Sequence, residues 1–258
     1  MLPCLAMMGW LSLVLLADSS GSLAEQRWLG LATWVVLLVA LRRVTPLVRM
    51  QTLVVVAFAT VVEYVFSPGL GVYTYRFDNV PAYVPAGHGL VYLSAWSLGH
   101  AAVLRRRQGL VIAVVVASLG VWALIGLLDP VRPDVLGAFW FLCLVAFLRW
   151  GPSREVYVGA AVVVTWLEVL GTKLATWTWQ PHDPTGLMSI GNPPTGAAGG
   201  YGWFDLVALL LAPPLLAWVS ALTDRAAAGR SAPDPGPSHV TDPDVDRDPG
   251  PGPGVVVR

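Results

Sequence analysis

The chain has 258 residues, 55% hydrophobic and only 12% charged, with sixteen basic side chains balancing sixteen acidic ones. A soluble domain carries about twice that share of charge, and the zero net charge leaves no basic surface for nucleic acid. The apolar residues come in long blocks, which points to a polytopic membrane protein.

Eight apolar segments can be read in chain order. They are roughly Leu2–Ala17, Trp28–Leu41, Met50–Phe66, His88–Leu104, Leu110–Leu128, Val135–Trp150, Val156–Thr172 and Trp203–Leu222. Several sit at or below the about 17–20 residues a helix needs to cross the hydrocarbon. The first lacks the basic start of a signal peptide. Arginines alternate between the connections. Arg42, Arg43 and Arg49 lie in one, Arg105–Arg107 in another, Arg149 and Arg154 in a third, and Arg225 and Arg230 follow the last segment. The intervening connections hold one cation each: Arg27, Arg76, Arg132 and Lys173. The positive-inside rule then expects eight helices with both termini cytoplasmic. Arg-rich, Ala-, Gly-, Val- and Pro-rich usage suggests a GC-rich bacterial genome, hence the bacterial inner membrane. Cys4 and Cys143 lie in apolar runs and read as packing residues. From Ala226 the Pro-, Gly- and Asp-rich tail through residue 258, with His239, cannot bury enough surface to fold and is expected to be disordered and cytoplasmic.

Two segments resemble each other. One runs "EYVFSPGLGVYTYRFDNVPAYVPAGHG" from Glu63; the other runs "EVLGTKLATWTWQPHDPTGLMSIGNPP" from Glu168. Each opens on a glutamate near the end of an apolar run. Each continues to an aromatic-Thr-aromatic triplet, Tyr73–Tyr75 and Trp177–Trp179. Twelve residues separate Tyr75 from Gly87, and twelve separate Trp179 from Gly191, so His88 and Asn192 fall at equivalent places. An offset of four spans makes this a parallel repeat, with halves of about residues 1–108 and 109–225 in one transmembrane domain. The fold class expected is all-α: a polytopic bundle of about eight helices in two parallel four-helix halves. The two loops should meet about an axis along the membrane normal.

Glu63, Glu168, His88 and Asp205 are the candidate catalytic groups. A carboxyl sheltered at a helix end can act as a general acid, or it can simply accept hydrogen bonds from its own loop. His88 is either a proton donor or a loop-shaping residue beside glycine. Asp205 is either functional or a helix N-cap. Tyr73, Tyr75, Trp177, Trp179 and Asn192 are the candidate substrate contacts, although interfacial anchoring also explains the aromatics. His182 and Asp183 read as turn residues, and Arg76 and Asp78 as a surface pair. No H-E-x-x-H, C-x-x-C pair, Walker loop or G-x-S-x-G occurs, so neither metal nor cofactor is expected. The fifth and sixth spans carry no charged residue apart from Arg149 at the very end of the sixth, which disfavours a carrier with a polar path across the bilayer. The partner expected is a membrane lipid or hydrophobic small molecule. The oligomeric state is left open.

The order Glu63, Ser67, Gly71, Tyr73, Tyr75, Val84, Pro85 resembles the signature of a membrane carotenoid-biosynthesis family, the bisanhydrobacterioruberin-hydratase type. The resemblance implies a polytopic enzyme that adds water across a terminal double bond of a long isoprenoid chain. It makes Glu63 the acid. A transporter or a non-catalytic accessory protein are the alternatives.

Overall fold

The structure, a computed structural model, describes residues 1–230, the side chains of 226–230 excepted. Nine helices occur among them: α1 (Leu2–Ser20), α2 (Leu23–Leu41), α3 (Pro46–Tyr64), α4 (Tyr83–Gly99), the single-turn α5 (Ala102–Arg106), α6 (Gln108–Leu127), α7 (Val135–Trp150), α8 (Arg154–Lys173) and α9 (Ala197–Arg230). Two three-residue strands, β1 (Tyr73–Tyr75) and β2 (Trp177–Trp179), are the only other regular elements in this range, apart from a π-helical turn at Val65–Gly69. The fold is therefore all-α, as the apolar periodicity implies. The chain divides into two units, Met1–Trp218 and Val219–Arg258. In the second, α9 ends at Arg230, so five residues of the expected tail are helical and the rest lies outside the described residues.

Among the described residues, six helices are long and apolar enough to cross a membrane: α1, α2, α3 with its π turn, α6, α8 and α9. The helices α4 and α7 are shorter, at 17 and 16 residues. Side chains such as Leu110, Val114, Val121, Leu124 and Ile125 on α6 stand more than half exposed. An apolar surface of that extent belongs against lipid.

Local chemistry sets the helix starts. Ser22 and Glu25 form a reciprocal capping box at α2. The Thr45 hydroxyl and Pro46 start α3, and Ser153 caps α8. The fourth helix begins at Tyr83 rather than His88, and ends at Gly99 rather than running on to Leu104. Pro85 lies in its first turn, where a missing N–H costs nothing. The helix α9 likewise begins at Ala197, not Trp203, because the glycines ahead of Trp203 are helical.

Helix α4 is the centre of the first unit, buried along most of its length and packed on α1, α2, α3 and α8. Its crossing with α8 brings backbone onto backbone. A Cβ at Gly99 would strike the Glu155 carbonyl, and one at Gly159 the Ala95 carbonyl. Only glycine permits that approach, the small-residue packing typical of helices in lipid. Each strand is reached through a left-handed residue two positions upstream: Gly71 at φ 63° before β1, and Ala175 at φ 53° before β2.

Candidate functional site

The two aromatic triplets pair with each other. Strands β1 and β2 are antiparallel, with Tyr73 opposite Trp179, Thr74 opposite Thr178, and Tyr75 opposite Trp177. Side chains alternate across a strand. Both threonines therefore face away, and all four aromatics turn inward to near-complete burial.

Beneath them lie the two glutamates, 5% and 2% exposed. The hydroxyls of Tyr73 and Tyr75 donate to Glu63 Oε2 at 2.9 and 2.8 Å, and His88 Nε2 lies 2.8 Å from Oε1. The indole N–H groups of Trp177 and Trp179 donate to Glu168 Oε2, each at 3.1 Å, and the Tyr201 hydroxyl donates to Oε1 at 3.2 Å. Each carboxylate thus has one oxygen held by its own triplet. Its other oxygen is held by a ring from the following helix. The two rings, His88 of α4 and Tyr201 of α9, stack at 5.2 Å, and Phe204 packs edge-on to both. Burial first, and then the neighbouring Glu63 charge, push the phenols of Tyr73 and Tyr75 far above their ordinary range. They remain donors at any physiological pH.

These groups form the polar floor of a cavity of about 640 Å³, whose walls include Phe58, Phe66, Leu70, Tyr83, Trp140 and Leu167. Such a volume suits a small ligand, and its chemistry is that of an apolar one with a few convergent polar groups. Asp183, Pro184 and Thr185 line it from the loop between β2 and α9. Hydrogen bonds from the Thr185 hydroxyl, then the Met188 N–H, hold the Asp183 carboxyl below the usual range. Asp183 is thus the turn residue expected, and a cavity residue too. Among the described residues, no group of three or more His, Cys, Asp or Glu is placed to hold a metal.

Six expected residues converge in two sets of three: Glu63 with Tyr73 and Tyr75, Glu168 with Trp177 and Trp179. His88 joins them as the sixth residue of α4, not as a loop residue. Asn192 does not line the cavity. Its Oδ1 accepts the Trp179 backbone N–H at 3.1 Å and so orients β2. Tyr201, not Asn192, stands where His88 stands in the other set. Asp205 also lies off the cavity, nine residues into α9, which rules out a capping role. Its Oδ2 is buried with no hydrogen-bond partner, within Coulombic reach of the Tyr92 and Tyr157 phenols.

Three anchors had no sequence signal. Arg76 does not pair with Asp78; its guanidinium reaches the Gly21 carbonyl and lies 4.0 Å from buried Asp18. Arg132 donates to the carbonyls of Ile190, Trp179 and Gln180 at 2.6, 2.7 and 3.0 Å, tying both ends of the loop that carries Asp183. Asp134 caps α7 at Gly137 and also accepts the N–H groups of Gly191 and Thr195 and the Thr195 hydroxyl. Comparison with known protein families, characterised proteins and solved structures gives no match to this chain.

Proposed function

We propose that the chain is a membrane enzyme that receives an apolar, isoprenoid-like substrate in the cavity and acts on it by acid/base chemistry. The observation that carries this reading is the pair of buried carboxylates on the floor of an aromatic chamber. Each is oriented by three donors. Addition of a proton from one carboxyl to a carbon of a double bond leaves a cationic centre on the neighbouring carbon. The faces of Tyr73, Trp177 and Trp179 suit that cation. Loss of a different proton to the second carboxylate gives an isomer or ring; capture of water, with its proton passing to that carboxylate, gives an alcohol. The resemblance around Glu63 favours the alcohol.

The same proposal takes the molecule as eight spans in two parallel halves, with both termini cytoplasmic in a bacterial inner membrane. Its support is the matched pairing about Thr74 and Thr178, the matched donor sets, and the left-handed residue two positions before each triplet. The alternation of arginines between connections agrees with that orientation.

The test is pigment and lipid profiling of cells expressing the full chain, Glu63→Gln or Glu168→Gln, with membrane insertion checked by fractionation. Each variant keeps shape and should lose the product while inserting normally. An unchanged profile in both overturns the mechanism.

One observation favours a proton-coupled carrier as the second reading. Asp205, Tyr92, Tyr157, Gln51 and Ser94 are polar groups within the helices and away from the cavity, and Tyr92 donates to Gln51 Oε1 at 2.9 Å. Asp205→Asn separates the two. The enzyme reading expects an unchanged product profile, and the carrier reading expects loss of proton-driven uptake in vesicles.

A further inference from the structure

Every polar side-chain atom on the cavity floor has a hydrogen-bond partner except one. All four carboxylate oxygens of Glu63 and Glu168 have donors. The hydroxyls of Tyr73, Tyr75 and Tyr201 donate to those oxygens, and the Tyr83 hydroxyl donates to Asp18 at 2.9 Å. Six buried side-chain polar atoms lack a partner among the described residues, and only one of them, Nδ1 of His88, belongs to a residue lining the cavity. His88 itself is 6% exposed.

The hydrogen bond at the other nitrogen sets what Nδ1 can take. With Glu63 ionised, its Oε1 accepts from Nε2, and a neutral ring then presents a lone pair at Nδ1. A buried acceptor left empty costs as much as a lost hydrogen bond. Its neighbours Tyr201 and Phe204 pack on the ring and offer no donor there.

We infer that His88 Nδ1 accepts a hydrogen bond from an O–H group brought into the cavity, so that the occupant of this apolar chamber is a hydroxyl-bearing lipid or arrives with one bound water. This rests on the apolar-ligand reading and narrows it. A pure hydrocarbon alone leaves the nitrogen empty.

The experiment uses the full chain in lipid nanodiscs with two probes, geranylgeraniol and the corresponding hydrocarbon without the hydroxyl. Affinities are measured for the wild type and for His88→Phe, which keeps a ring against Tyr201. In parallel, ¹⁵N NMR of histidine-labelled protein reads the ring directly. His100→Gln, His182→Gln and His239→Gln together leave His88 the one imidazole. A ligand hydroxyl as donor predicts the alcohol to bind about tenfold tighter than the hydrocarbon in the wild type and equally in His88→Phe. The bare Nδ1 resonance then moves when alcohol is added. Water as donor predicts similar affinities, with Nδ1 bare and hydrogen-bonded before and after hydrocarbon is added. A protonated Nδ1, or a bare one without a hydrogen bond in every state, overturns the inference while hydrocarbon binding still stands for the cavity. Binding of neither probe overturns both.

Discussion

Glu63 and Glu168 were legible because the same residue type recurs at nearly the same distance before an aromatic-Thr-aromatic triplet. Tyr201 was not, since an aromatic near a membrane boundary is what interfacial anchoring alone would place there. The equivalence of His88 and Asn192 followed from counting residues along the loops. Hydrogen bonds count distance through space. Helix α4 starts five residues before His88, while α9 starts five after Asn192. Asp134 was equally silent, although it is 1% exposed and accepts four hydrogen bonds. Its partners at Gly191 and Thr195 are more than fifty residues away, beyond any local motif. Asp134→Ala removes a cap and leaves buried N–H groups unpaired. It should cost about 2–4 kcal/mol, read as a lower melting temperature in detergent.

At the scale of elements, the apolar runs were read closely, and the starts of α4 and α9 were misread where glycine and proline precede the apolar run. Gly87 fell outside the expected fourth segment, and Gly199 and Gly200 outside the eighth; all three are inside helices. The glycines serve packing, not turning. Gly159→Ala should separate α4 from α8 and cost about 1–3 kcal/mol, whereas Gly109→Ala, with nothing within 4 Å of the new carbon, should change little. Ala175 gives the opposite sign. It holds a left-handed conformation at φ 53° that its Cβ disfavours. Ala175→Gly should therefore stabilise by about 1 kcal/mol, visible as a higher melting temperature.

At the scale of the whole molecule, the arginine alternation makes a statement about sidedness that bears on the cavity too, because the loop carrying Asp183 lines it. In a background lacking Cys4 and Cys143, Leu187→Cys should react with an impermeant thiol reagent applied to intact cells. Leu187 is 84% exposed, on that same loop. Arg106→Cys, at the end of α5, should react only after the membrane is opened. Labelling of both from one side would break the proposed topology. The overall class was readable from composition alone. The joining of the two loops was only an inference from symmetry, since no property of either triplet by itself names its partner.

That joining has a consequence for synthesis. Tyr73 and Trp179 are neighbours in space but 106 positions apart in the chain (179 − 73). When α1 to α4 have been synthesised, Glu63 has its own tyrosines and His88, but β1 has an open edge and Glu168 and its donors are still missing. The second carboxylate, the second strand and the Tyr201 that stacks on His88 all arrive later, between residues 168 and 201. On the proposed function, the chemistry of this site would therefore have to wait for the whole of residues 1–201, and a product truncated before β2 should be inactive.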